Sequence, residues 1–515
     1  MPALYRPLVA AGNPSIAVRE VTMVARGSHS RNGDGPPEAQ GLYDPAFEHD
    51  ACGTGFVARI SGTPSHDVVA FALESVINLT HRGAVDADAR TGDGAGLLTP
   101  LPYGLFRREL ARLGRRLEDP DDLAVGVIFL PRDDPAATAL GRTVLERAIL
   151  AEGLTIFGWR TVPIRPEVLG EKGLATLPDI QHVLIGRRAG LSGAAFERAL
   201  YLVRKRAERD AAEAGLKNFY VASLSSRTIV YKGLFVAPQL RGFYRDLRDA
   251  DYEVCLAVFH QRYSTNTFPT WHLAQPFRML AHNGEINTRQ GNINWMRARQ
   301  PELHSPVWGD RLSDLFPITQ PGGSDSADLD NALELLTMSG RDIRHSLMML
   351  MPHAWEHTHD IDRQRRAFYA YHACLTEPWD GPAALAFTDG TIVGSALDRN
   401  GLRPSRYIVT RDGLVVAGSE VGMLERPELD DHNIAEKGRL GPGQMIAVDT
   451  RRGEILKNQQ LARELPTRRP YGEWLEAQQV RLKSSRRPAA PETEVEVYAA
   501  APDIKLERLF GYSRE

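Results

Sequence analysis

The chain has 515 residues, about three times the size of a common single domain. Its 43% hydrophobic and 25% charged residues are an ordinary globular composition, with no apolar run long enough to span a bilayer as a helix. The 62 Lys and Arg against 65 Asp and Glu leave a net charge of −3, so no basic field recruits nucleic acid or an anionic membrane. The first residues lack the compact apolar core and small-residue cleavage site of a secretory signal. Only 3 cysteines are present, none in a CxxC pair, which excludes a disulfide scaffold, a structural zinc site and an iron–sulfur site in this chain. The expected setting is the reducing cytoplasm.

Residues 1–40 are expected to be a poorly ordered leader, because 26–40 is rich in Gly, Pro and polar residues and has no apolar period. A strand is expected to open at Cys52, with Phe56 and Val57. A helix should follow through Val68, Ala72, Val76 and Leu79, capped by Gly83. Strands are predicted at 97–101 and 123–130, a helix over 143–151, strands at 154–162 and 179–186, and a helix over 194–214. Further strands are expected at 254–262 and 277–281, then a helix over 287–299. Ser324 should cap a helix with Leu329, Leu333 and Leu336 on its apolar face. From 383 to 449 the apolar runs are short, and Asp389-Gly390 and Asp412-Gly413 mark hairpin turns. This mixture of helices and hairpins predicts an α+β fold of antiparallel sheets covered by helices, not a doubly wound parallel sheet. Residues from 456 read as a peripheral arm followed by a Pro- and Ala-rich linker. The last twelve residues resemble an element cut short, the mark of a fragment of a longer protein.

Among the cysteines, Cys255 and Cys374 lie in apolar surroundings and read as core packing. Cys52 stands between the small residues Ala51 and Gly53, which leave the thiol approachable, though packing is an equal alternative. His260 or His282 could serve it as a base. A metal site built from His49, His260, His282 and Asp325 has no local ligand spacing to support it. GDGAG at 92–96 has the wrong spacing for a nucleotide fingerprint and reads as a tight turn.

Four segments carry the chemistry: HDACGTGF, VFHQRYSTNTFPTW, MLAHNGEINTRQGN and GGSDSADLDNALELL. Together they contain what a glutaminase needs. A Cys is a competent nucleophile toward an amide, and an Arg matches a carboxylate with two parallel donors. Asp suits an ammonium group, and Asn-Gly offers a side-chain amide and an open backbone N–H as two oxyanion donors. With HRGAVDADARTGDGAG, MPHAWE and DRNGLRPSRY, these blocks resemble the N-terminal region of the glutamate synthase large subunit, from about residue 42 onward.

That region is a class II glutamine amidotransferase domain of the N-terminal-nucleophile hydrolase fold, an αββα sandwich. The resemblance implies a leader of residues 1–51 removed between Ala51 and Cys52, a glutaminase domain over 52–455, and an arm and linker over 456–515. It implies that Cys52 is the nucleophile and its freed α-amine the base, returning His260 and His282 to structural roles. Asn283 and Gly284 match the oxyanion pair, Arg262 the carboxylate clamp and Asp325 the partner of the substrate amine. L-Glutamine would be hydrolysed and its ammonia passed to a synthase domain that aminates 2-oxoglutarate. FMN and an iron–sulfur cluster belong to that domain, and electrons come from a small NADPH-dependent subunit or from ferredoxin. The rival readings are another amide hydrolase of the same fold and a non-catalytic interaction domain.

Overall fold

Three antiparallel sheets organise the computed structural model, which describes residues 52–83, 90–262, 269–356, 358–359, 361–420 and 422–480. The leader, the cleavage point and the linker beyond 480 lie outside the described residues. With strands numbered along the chain, the first sheet runs β14 (Ile434–Arg439), β12 (Arg406–Thr410), β13 (Leu414–Gly418), β1 (Gly53–Arg59), β8 (Leu256–Gln261), β2 (Ala95–Pro100) and β7 (Thr228–Gly233). The second runs β16 (Glu454–Leu456), β15 (Met445–Asp449), β11 (Ile392–Leu397), β10 (Ala383–Thr388) and β9 (Leu280–Gly284). A third, smaller sheet runs β4 (Thr155–Thr161), β5 (Asp179–Gly186), β3 (Leu123–Leu130) and β6 (Tyr220–Ser225).

The period-2 alternation of side chains divides the first sheet between two cores. Phe56 and Ala58 of β1, Leu256 and Val258 of β8, and Val415 and Ala417 of β13 enter one apolar layer. Ala281, Ala386, Val393 and Val448 of the second sheet enter the same layer, so the two sheets pack face to face. Val57, Ala257, Phe259 and Val416 point the other way and are covered by helices His66–Asn78, Tyr103–Arg112 and Ala237–Phe243. The outer face of the second sheet, with Leu280, Leu385 and Phe387, is covered by helices Asp325–Met338, Ile343–Leu350 and Arg363–Ala373. The order of layers is therefore helix, sheet, sheet, helix, the α+β sandwich expected from the sequence.

The third sheet packs one face on helices Pro135–Ala151 and Gly193–Glu213, through residues such as Ile128, Leu145, Ile185 and Leu200. Its other face feeds the first helical core through Val125, Val127 and Phe129. A tight turn carries the chain from β6 in this sheet to β7 in the seven-stranded sheet. The sequence hides this turn because Ser226-Arg227 replaces an Asx-Gly pair, and the Glu197 carboxylate instead accepts from Ser225 Oγ, Ser226 Oγ and the Ser226 N–H.

Boundaries shift where capping outweighs apolar period. The helix expected at 143 starts at Pro135, because Asp134 accepts the Ala137 N–H at 2.9 Å and Pro135 occupies the first turn. Gly83 does not cap the helix His66–Asn78; a short turn over Thr80–Arg82 intervenes, and Gly83 has φ −89°, outside the left-handed region. Beyond 455, where a peripheral arm is expected, the chain forms helices Asn458–Thr467 and Tyr471–Gln478. Leu461, Leu465 and Tyr471 are buried in the same cluster as Ile343, Leu347 and Phe368. No helix among the described residues is long and apolar enough to cross a membrane.

Leu465 is fully enclosed, so Leu465→Ala should lower the unfolding free energy by about 2–5 kcal/mol. Urea denaturation checks this; a change below about 0.5 kcal/mol, the range of a surface substitution, would place the helix outside the cooperative core.

Candidate functional site

The site gathers at one rim of the sandwich, where β1 begins and β8 and β9 end. Gly53 pairs with Gln261 in the antiparallel register of β1 and β8, so Cys52 and Arg262 are the next opposed positions. On the other side of β1, Gly55 pairs with Gly418, which brings Thr54 opposite Ser419. The Ser419 hydroxyl accepts the Thr54 N–H at 3.1 Å, donates to the Thr54 carbonyl at 3.2 Å, and accepts from Asn283 Nδ2 at 3.2 Å. One hydroxyl thus fastens the strand that follows Cys52 to the second sheet.

Asn283 and Gly284 end β9, opposite Ala384 and Ala383 of β10. Asn283 is completely buried, and its Oδ1 has no hydrogen-bond partner among the described residues. The Asn283 Nδ2 group carries two N–H donors, so one remains beyond the bond it gives to Ser419. Gly284 has φ +138°, and a Cβ there would lie 1.8 Å from the Pro382 carbonyl oxygen. Only glycine lets the backbone turn at this point.

Asp325 opens the helix Asp325–Met338, capped by Ser324, whose hydroxyl accepts the Ala327 N–H at 3.2 Å. Asp325 Oδ2 accepts the Ile286 N–H at 2.9 Å, and Oδ1 accepts the Ser326 N–H at 2.7 Å. The carboxylate therefore ties the helix start to the residues just after Gly284. Arg262 follows β8 at φ +96°, a strained conformation for a residue with a side chain, costing about 1–3 kcal/mol. Its N–H donates to the Gly94 carbonyl at 2.8 Å, and its Nε lies 3.5 Å from Asp93 Oδ2.

Cys52 is buried, and burial pushes its thiol up to about 11; Asp93 and Asp325 act in the same direction, while Arg262 and Arg403 oppose them. The thiol is thus held protonated at neutral pH and needs a base to become a nucleophile. The two histidines are placed otherwise. His260 Nε2 lies 3.0 Å from the His282 carbonyl oxygen, and His282 Nδ1 lies 2.8 Å from Ser326 Oγ. Burial lowers both, His260 to about 3, so they pack as neutral rings linking β8, β9 and the Asp325 helix. Among the described residues no group of three or more His, Cys, Asp or Glu is arranged to hold a metal ion, and His49 lies outside them. Cys374 departs from its expected core position: it is exposed at the end of Arg363–Ala373, its Sγ donating to the Ala370 carbonyl. Cys255 is partly buried beside the inter-sheet layer.

A family model of class II glutamine amidotransferases matches residues 52–474, opening on Cys52. The chain belongs to that family. As a class II amidotransferase it is 47% identical over 434 residues to the glutamate synthase [NADPH] large chain of Azospirillum brasilense, covering 84% of this chain and 28% of that one. It is 42% identical over 480 residues to the corresponding Bacillus subtilis chain, covering 93% and 31%. Against glutamate synthase [NADH] of Schizosaccharomyces pombe it is 40% identical, covering 93% and 23%. The chain spans less than a third of the length of these relatives. A solved glutamine phosphoribosylpyrophosphate amidotransferase from B. subtilis aligns with 71% of this chain and 49% of its own at 11% identity and a TM-score of 0.26, too remote to bear on the site.

Three contributors escaped the sequence reading. Ser419 is 365 residues from the strand it fastens, with no local signal. Asp93 sits in the turn GDGAG, and Arg403 in the loop after β11. Asp398 anchors that loop by accepting the Ala383 N–H at 3.0 Å and the Asn400 N–H at 2.8 Å. Ser419→Ala should leave the Thr54 N–H and the Asn283 amide without their shared partner and cost about 1–3 kcal/mol. Chemical denaturation measures it, and an unaltered midpoint would show that the hydroxyl is dispensable as a fastening.

Proposed function

We propose that this amidotransferase is the glutaminase part of a glutamate synthase, hydrolysing L-glutamine to L-glutamate and ammonia through a thioester on Cys52. The observation that carries the proposal is that the family match opens on Cys52, next to Arg262 in the β1–β8 register. A leader of residues 1–51 would be cut after Ala51, freeing the α-amine of Cys52. Its reference pKa of about 8 lets it accept the thiol proton near neutrality, which the buried thiol, pushed up to about 11, does not release unaided.

In this mechanism the Cys52 sulfur attacks the side-chain amide carbon as the α-amine takes the thiol proton. Asn283 Nδ2 and the Gly284 N–H donate to the oxyanion, Arg262 holds the substrate α-carboxylate and Asp325 its α-ammonium. The α-ammonium of Cys52 returns the proton to the leaving nitrogen, and ammonia departs. Water then adds to the thioester, the S–C bond breaks, and glutamate and the free thiol are regenerated. Arg262 and Asp325 together select an α-amino acid, which favours glutamine over a general amide and disfavours a non-catalytic domain.

In the same reading the ammonia passes to a synthase domain, in this or a companion chain, that aminates 2-oxoglutarate. Electrons would come from a small NADPH-dependent subunit or from ferredoxin, and the whole would work in the cytoplasm. FMN and an iron–sulfur cluster would supply the redox chemistry there. They do not fit this chain's cysteines: Cys52 is buried at the rim, Cys255 is partly buried by the inter-sheet layer and Cys374 is exposed on a helix end, so the three do not converge.

Intact mass spectrometry of the purified protein should show a species lacking Met1–Ala51 and beginning at Cys52. Full glutaminase activity in protein that retains the leader would remove the α-amine as base. Asn283→Ala should keep the fold and lower kcat by about 10²–10³, the usual effect of deleting one oxyanion donor. Arg262→Ala should chiefly raise KM for glutamine. Ammonia release from asparagine or peptide amides at the glutamine rate would point to the other amide hydrolase.

A further inference from the structure

Four charged side chains act on the Cys52 thiol, namely Arg262, Asp93, Arg403 and Asp325. Two of them, Arg262 and Asp325, have proposed counterparts on glutamine; Asp93 has none, and its charge is the wrong one to meet a carboxylate. We infer that Asp93 is a positioning residue, aiming the Arg262 guanidinium at the α-carboxylate of glutamine; this rests on the glutaminase reading above.

The geometry begins with the glycines of GDGAG. A Cβ on Gly92 would lie 2.1 Å from the Phe235 carbonyl oxygen, and one on Gly96 would lie 2.7 Å from the carbonyl oxygens of Gln275 and Tyr231. Gly94 adopts φ +136°, which side chains rarely tolerate. The turn therefore lies flush against its neighbours, and Asp93 is its one charged side chain, set between Gly92 and Gly94. From there it reaches Arg262 in concert with the adjoining residue. The Gly94 carbonyl accepts the Arg262 backbone N–H at 2.8 Å, while the Asp93 carboxylate sits 3.5 Å from Arg262 Nε. Two consecutive residues of one turn thus meet Arg262, one by a backbone hydrogen bond and the other by an ion pair with its guanidinium.

Arg262 needs such holding. At φ +96° its backbone is not in a conformation that its own preferences select, and the guanidinium must be directed from outside. A carboxylate at the Nε side orients the guanidinium plane, and the terminal nitrogens form an edge that matches a second carboxylate with two parallel bonds. Both side chains are largely buried, at 8% and 14% exposure, so water screens the pair weakly.

The sign of the effect separates positioning from simple charge. Removing a negative charge near an incoming carboxylate would by electrostatics alone tighten binding and lower KM. Losing the alignment of Arg262 raises it.

The test measures ammonia release from glutamine by the full, processed protein and by Asp93→Asn, Arg262→Ala and the double variant, with thermal melts as a folding control. Asp93→Ser replaces the Asn variant if that one misfolds. The expected result is a KM raised about 10-fold in Asp93→Asn with kcat within about twofold of wild type, the pattern of lost ground-state binding. The double variant should then be no worse than Arg262→Ala, because the two residues act as one unit. On 4-aminobutanamide, which is glutamine without its α-carboxylate, Asp93→Asn should match wild type. A KM that is unchanged or lowered, a fall in kcat alone, or additive losses in the double variant would overturn the inference while leaving an active wild type and the glutaminase reading in place. A wild type that releases no ammonia from glutamine would overturn both.

Discussion

Two sheets pack face to face at the centre of this molecule across a layer in which Ala and Val dominate, with Phe56, Leu98 and Leu256 as its larger side chains. Ala58, Ala281, Ala386 and Ala417 meet Val258, Val393 and Val448 in a layer that excludes water. That packing fixes where the strands end. β1 and β8 belong to one sheet and β9 to the other, so the residues at their termini meet only if the sheets keep their spacing and register. The Ser419 hydroxyl adds a polar fastening at that rim, contacting β1 and Asn283 together. Site geometry is in this sense a product of core packing, and a change in the inter-sheet layer would reach Asn283 before it reached anything on the outer helices.

The rim carries several ionisable groups in a confined space, and the fold handles them in different ways. Histidines are neutralised by burial and used as hydrogen-bonding spacers, as His260 and His282 show. The buried Asp325 carboxylate is hydrogen-bonded at both oxygens, by the Ile286 N–H and by the Ser326 N–H of its own helix start. The thiol is left uncharged until a base is provided.

How far the sequence alone could lead depended on the range of the interactions involved. Strand β3 and the strand β5 opposite it were legible from continuous apolar runs, and the Ser324 cap was legible from its hydroxyl ahead of an apolar helical period. The family blocks drew attention to Cys52, Arg262, Asn283, Gly284 and Asp325. The structure brings Cys52 to the end of β1, opposite Arg262, and Asn283 to Ser419; it ties Asp325 to Ile286, two residues beyond Gly284. What stayed hidden was long-range or chemically indirect. Nothing near Ser419 marks it as the partner of Thr54, and the β6–β7 turn is held by a carboxylate from a distant helix. Cys374 misled because apolar neighbours in sequence can surround a helix end that faces outward.

The backbone of Arg262 has a consequence for how this protein could change. At φ +96° a glycine would sit without penalty, whereas arginine stores about 1–3 kcal/mol of strain. Selection for stability alone would therefore exchange the residue. Arginine at that position is a misfit by folding criteria, and it marks a place where the molecule gives up some robustness to keep a guanidinium opposite Cys52.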